Sequence, residues 1–279
     1  MNALWERPDF RRAAGDAWRP GGVELTRRAL AWCASAGLLA PGGLVLDLGS
    51  GAGATLRLLS QMGYRAVGLD KHAEAGLPVD AAPSADVRIV RADLERPPLA
   101  ADSCDCIVCE CVLSLLHNPL ATLRPGGLLV TSDLMLRPGY ERPVSTGCSG
   151  AGSSRSSCSC SGHASAVQSN SSQSIPPTTA TAEPLPEKYA APGSSCLAGA
   201  RPESAWRGLV EAAGLHLLHF EDNSRALVEL AARMIWYSDD ATRPSANSSS
   251  HGCACGGAGP GKAWRAYGYG LWIARKETP

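Results

Sequence analysis

A chain of 279 residues, 44% hydrophobic and 19% charged, can bury one sizeable core. Its 26 Lys and Arg balance 26 Asp and Glu, so no net field attracts nucleic acid or an anionic membrane, and neither partner is expected. With 30 Gly and 20 Pro it is no helical bundle, and long loops are expected instead.

Met1 to Arg7 reach Pro8 and Asp9 before any apolar run develops, which argues against a secretory signal, and no later stretch has the roughly 18 apolar residues of a membrane-spanning helix. A cytoplasmic location is therefore expected, with the 11 cysteines as free thiols rather than a disulfide framework.

Residues 1–43 read as an N-terminal helical cap segment: two polar turns, then an amphipathic helix with Leu25, Ala29 and Trp32 at helical spacing, stopped by Gly37. The domain proper is expected over 44–279. Strands fit 44–48, 65–69, 87–91, 105–109 and 127–132, with a helix over 54–62. Strands alternating with helical segments predict βαβ units and a parallel sheet with both faces covered. Residues 144–196, rich in Ser, Gly, Cys, Thr and Pro, cannot form a core and read as an insertion. A helix is expected from Pro202 with Trp206, Leu209, Val210 and Ala213 on one face, then a strand over 215–220 and a helix from Ser224. A second low-complexity insertion fills 239–262, and the aromatic stretch 267–276 reads as a final strand that rejoins the sheet.

The informative motif is Val45-Leu46-Asp47-Leu48-Gly49-Ser50-Gly51-Ala52-Gly53-Ala54, a strand running into a glycine turn and then a helix. Glycines permit positive φ and close approach of a ligand, and the helix start offers free N–H groups. The spacing of Gly49, Gly51 and Ala54 also satisfies a dinucleotide fingerprint. Asp47 discriminates between the two readings. A carboxylate beside the glycine turn repels a pyrophosphate but attracts an ammonium or a sulfonium, and S-adenosylmethionine carries both cations. Asp70, ending the second strand, suits ribose hydroxyls, and Asp93, after the third, suits an adenine amino group.

These residues, with Arg124-Pro125-Gly126-Gly127 before a late strand, resemble the class I, Rossmann-like S-adenosylmethionine-dependent methyltransferases. The resemblance implies a doubly wound α/β fold: a seven-stranded sheet, mostly parallel with an antiparallel last strand, and helices on both faces. It implies S-adenosylmethionine as cofactor, with Asp47, Gly49, Ser50, Gly51 and Gly53 at its methionine part. Asp70 and Lys71 would lie at the ribose, Asp93 and Leu94 at the adenine, and Glu110 beside the methyl group. Glu110 to Leu115, together with Cys196-Leu197-Ala198-Gly199-Ala200, more distantly resemble the arsenite methyltransferase branch. That branch implies a thiophilic small-molecule substrate held by Cys196, Cys33 and either Cys253 or Cys255.

The strand cysteines Cys104, Cys106, Cys109 and Cys111 alternate faces and read as small buried hydrophobes. The loop groups Cys158-Ser159-Cys160 with His163, and His251-Gly252-Cys253-Ala254-Cys255, could close a metal site, but their one-residue spacing departs from zinc knuckles and no metal is assigned. No catalytic base stands out. A nicotinamide oxidoreductase using the same glycines, and a non-catalytic cysteine-rich metal-binding protein on the same fold, are the alternatives.

Overall fold

A computed structural model describes residues 7–72, 87–94, 96–113, 120–139, 199–237 and 266–278. Both expected insertions, 144–196 and 239–262, lie outside the described residues.

The chain begins with helix α1 (Pro8–Ala14), a short 3-10 turn (Gly15–Ala17) and helix α2 (Gly22–Ser35). The α1 helix replaces one of the polar turns expected from sequence. Pro8 starts it, Asp9 favours its first turn, and Phe10, Ala13 and Ala14 fall at i, i+3 and i+4, where they pack with Leu230.

Then follow β1 (Leu44–Leu48), α3 (Ala54–Gln61), β2 (Arg65–Asp70), β3 (Val87–Arg91), β4 (Cys104–Glu110) and β5 (Leu123–Leu136). After them come the two-residue β6 (Arg201–Pro202), α4 (Glu203–Ala212), β7 (Leu215–Asp222), α5 (Ser224–Tyr237) and β8 (Tyr267–Lys276). The sheet order is β3-β2-β1-β4-β5-β8-β7, with β6 paired to the end of β5 as an eighth strand that the sequence reading lacks. Strands β1 to β5 run parallel, and β8 runs antiparallel between β5 and β7.

Two departures from the expected strand bounds have local causes. β5 starts at Leu123 because Leu123 pairs with Cys104 before the Arg124-Pro125-Gly126-Gly127 turn, and pairing resumes at Cys106 and Leu128 beyond an irregularity. It runs on to Leu136 because β8 pairs with it from Leu128↔Arg275 to Leu136↔Tyr267.

Alternation assigns the faces. Val45, Cys106, Val108, Val130 and Tyr269 share one core cluster with Leu25, Ala29 and Leu30 of α2, Leu56 and Leu59 of α3 and Leu227 of α5. Leu46, Leu48, Ile107, Cys109 and Leu129 point the other way, toward Val210 of α4. The chain places β1, β2 and β3 in one direction across the sheet and returns to lay β4 on the other side of β1. That reversal opens a crevice beyond the carboxyl ends of β1 and β4, where open α/β sheets take ligands.

Candidate functional site

The glycine loop leaves β1 at this reversal. Gly49, Gly51 and Gly53 have φ of 79°, 49° and 75°, a region that side-chain-bearing residues enter only with strain. The loop is pinned to β2: the Gly49 and Ser50 N–H groups donate to the Leu69 carbonyl at 2.8 and 3.1 Å. Gly68 permits that approach, since a Cβ there would stand 2.5 Å from Leu56 Cδ1 and 2.7 Å from Ser50 Cβ. Gly68→Ala should therefore displace the loop and cost about 1–3 kcal/mol in urea unfolding. A neutral substitution would mean that the loop is not seated on β2.

Asp70 ends β2 with both oxygens engaged. Oδ2 accepts from the Gly51 N–H at 2.9 Å and Oδ1 from the His72 N–H at 2.7 Å. A carboxylate has about four acceptor positions, so two remain for a ligand's hydroxyls. Lys71 is exposed beside it, and Asp93 is exposed just past β3. Leu94 is half-buried against the second core cluster.

Asp47 is buried to 3% exposure, and among the described residues its Oδ2 has no hydrogen-bond partner. Burial, reinforced by the negative charges of Glu110 and Asp70 and opposed by Arg19, pushes its pKa up to about 8. The site as it stands thus holds a neutral carboxyl at pH 7, not the standing carboxylate expected from sequence.

Glu110 and Arg19, whose charges act on Asp47, belong to a polar cluster that the sequence reading missed except for Glu110. Arg19 Nη2 forms an ion pair with Glu110 Oε2 at 2.7 Å and donates to Thr26 Oγ1 at 2.8 Å and Thr55 Oγ1 at 3.0 Å. Thr26 and Thr55 in turn donate to the two Glu110 oxygens at 2.6 and 3.2 Å. Both Glu110 oxygens are thus engaged by protein groups, and its immediate role is to hold Arg19. Next to it, Cys111 takes a left-handed φ of 58°, its Sγ lies 3.2 Å from Tyr269 Oη, and that hydroxyl lies 2.8 Å from Ser132 Oγ. Burial raises the Tyr269 pKa well above the usual value, so it remains a neutral phenol. Thr26, a polar residue inside the apolar face of α2, was the one visible signal of this cluster. Nothing in Trp18-Arg19-Pro20 singles out Arg19.

Of the expected thiol set, Cys33 alone lies among the described residues. Cys33 is fully buried in the cluster that holds Cys106 and Tyr64, toward the amino ends of the strands and away from the crevice, and burial pushes its thiol up to about 12. Cys196, Cys253 and Cys255 lie outside the described residues. Cys33→Ala should lower unfolding stability by about 1 kcal/mol and leave methyl transfer unchanged. Loss of turnover at full stability would restore Cys33 to the substrate site. Cys104, Cys106 and Cys109 are likewise fully buried, with thiols raised by burial, so they behave as small hydrophobes. Among the described residues no group of three His, Cys, Asp or Glu could hold a metal ion, and no helix is long and apolar enough to cross a membrane.

The architecture has solved counterparts. The [4+2]-cyclase SpnF matches with a TM-score of 0.54 at 17% identity, over 95% of this chain and 85% of that one. YjhP from E. coli matches with a TM-score of 0.54 at 14% identity, over 96% and 99%. Phosphoethanolamine N-methyltransferase 2 of Haemonchus contortus, solved with S-adenosyl-L-methionine, matches with a TM-score of 0.54 at 14% identity, over 97% of this chain and 56% of that one. Identities this low show the fold alone, and the presence of a cyclase shows that the fold does not name a reaction. No curated protein matches the sequence. The family model for a methyltransferase domain matches residues 46–130, from β1 through the glycine loop to the middle of β5. Residues 46–130, the part of the sheet that carries the glycine loop, thus match a methyltransferase domain, on a fold shared with S-adenosylmethionine-dependent methyltransferases.

Proposed function

We propose that the protein transfers a methyl group from S-adenosylmethionine to a small-molecule acceptor at the carboxyl ends of β1, β4 and β5. The observation that carries this reading is Asp47, a buried acid beside the glycine loop whose Oδ2 has no protein partner among the described residues. A buried polar atom without a partner is costly unless a ligand supplies one. An ammonium supplies a donor and favours the ionised carboxylate, whereas a pyrophosphate has no donor to offer and would oppose ionisation.

In this reading Asp47 accepts from the cofactor's ammonium, the Gly49 to Gly53 loop lets its methionine part approach the backbone, Asp70 and Lys71 lie at the ribose, and Asp93 and Leu94 at the adenine. When bound, S-adenosylmethionine supplies a methyl group already activated by its sulfonium. The protein's contribution is then to orient the acceptor in line and keep water out, and a soft acceptor needs no general base. Arg19, Thr26 and Thr55 converge on Glu110 at the carboxyl end of β4, on the helix side of this site. Cys111 is the described thiol at this rim. A thiophilic acceptor such as trivalent arsenic would depend on it together with Cys196, Cys253 or Cys255.

Equilibrium dialysis with labelled S-adenosylmethionine and with NAD tests the cofactor, with binding expected only for the first. A methyl-transfer screen over thiols, trivalent arsenic and small carboxylates then identifies the acceptor. Binding of NAD without S-adenosylmethionine would overturn the reading.

A further inference from the structure

Helix α5 carries two apolar faces. Leu227 and Leu230 are buried and Met234 is half-buried, and these turn inward, onto the sheet and α1. Val228, Ala232 and Ile235 recur at i, i+4 and i+7 on the outer side, with Trp236 beside them. Val228 is 61% exposed, Ile235 63% and Trp236 84%, and with Tyr237 they are the large apolar side chains exposed among the described residues. A surface helix ordinarily gives its outer face to polar residues, and exposed apolar side chains gathered on one element mark an association surface.

The charges that flank this face indicate what covers it. Glu229 and Arg233 are exposed one turn apart on the same flank, and Arg225 is exposed at the amino end of the helix. Arg225 pairs with Glu229 at 3.0 Å, but their side chains are 92% and 58% exposed, so the pair contributes little to the fold. A twofold axis through the face near Ala232 would lay a second copy of α5 antiparallel on the first. To within one residue of that axis, Val228 then meets Ile235 of the other copy, Glu229 meets Arg233, and Trp236 meets the Arg225 guanidinium, each contact being made twice. Ala232, the smallest side chain of the stripe, stands at the crossing and lets the helices approach. A parallel pairing would instead set Glu229 on Glu229 and Arg233 on Arg233.

We propose that the protein self-associates through α5, as a reversible antiparallel helix pair about a twofold axis. Covering the four apolar side chains on both copies removes about 1,000 Å² from water, the low end for a specific interface, so association is weak and depends on concentration. This surface is independent of which cofactor or acceptor the crevice takes.

Sedimentation of the full-length protein from low micromolar to submillimolar concentration tests this, with a reductant present to keep cysteine cross-links out of the result. A monomer–dimer equilibrium is expected. Val228→Glu and Ile235→Glu should each weaken it at least tenfold with unchanged urea unfolding, since both positions are exposed. Glu229→Arg and Arg233→Glu should each weaken it as well, because each sets like charges across the axis twice. Mixed in equal amounts, these two charge variants should bind one another within threefold of the unmodified dimer, because both crossings then pair opposite charges. Such a rescue arises neither from a contact within one chain nor from a variant that fails to fold. A monomer at every concentration, whether another part of the chain or water covers the stripe, would overturn the proposal. So would association that the variants leave unchanged, or a mixture that binds no more tightly than its components.

Discussion

Affinity for S-adenosylmethionine is expected to rise by about one decade per pH unit between about pH 5.5 and 7, with release of up to one proton per site. The cause is Asp47. Its pKa of about 8 in the empty protein means that the carboxyl is protonated at neutral pH, whereas an ammonium at Oδ2 favours the ionised form. Ligand uptake must then expel the proton, and that cost falls as pH approaches 8. The cofactor's own α-amino group, with an ordinary pKa of about 7.7–8.0, loses its charge over the upper part of this range, so the rise should flatten above about pH 7 and the profile peak near pH 8. Titration calorimetry in two buffers of different ionisation enthalpy reads the proton directly. Asp47→Asn should flatten the profile and weaken binding at pH 8 at least tenfold.

The same group has the opposite effect on the empty fold. Its folded pKa lies above the ordinary 3.8, so its contribution to stability is complete below about pH 4 and is lost as pH rises toward 8. Asp47→Asn should therefore raise the melting temperature of the cofactor-free protein at pH 8 while impairing binding. A pH-independent affinity with no proton release would remove Asp47 from the ammonium.

The largest effect on folding is expected at Trp206. Its side chain is 1% exposed, its Nε1 donates to the Leu134 carbonyl at 3.0 Å, and its ring lies 5.5 Å from that of Trp272, which in turn packs on Phe220 at 5.4 Å. This cluster joins α4 to β5, β7 and β8, so Trp206→Ala should cost about 3–5 kcal/mol in urea unfolding. Trp206→Phe keeps most of the packing and loses the hydrogen bond, and should cost about 1–2 kcal/mol. Near-neutral behaviour of the alanine variant would mean that α4 does not seat on the sheet as described.

Local order in the chain was enough to determine several things. The apolar run of β1, the three glycines and the helix beginning at Ala54 are contiguous, so strand, turn and helix could be read together, and Asp47 stood out because a carboxylate in that turn has an electrostatic consequence whatever the rest of the fold does. Asp70 and Asp93 could be placed because strand ends follow from hydrophobic pattern. The aromatic pattern of 267–276 marked a final strand that rejoins the sheet, and the observed β5–β8 and β7–β8 ladders seat it there, antiparallel as the resemblance implied.

Tertiary structure decided the rest. Arg19, Thr26, Thr55, Glu110, Ser132 and Tyr269 come from five separate elements and the segment before α2, and only the folding of α2 over the sheet brings them together. Periodicity reports which face a residue occupies, not which residue meets it from another element. The same limit made Cys33 look available, because a thiol in a helix reads alike whether the helix end lies at the crevice or at the opposite edge of the sheet. The charge state of Asp47 was equally beyond local reading: burial and the neighbouring acids, not the residue type, make it a neutral carboxyl in the empty site.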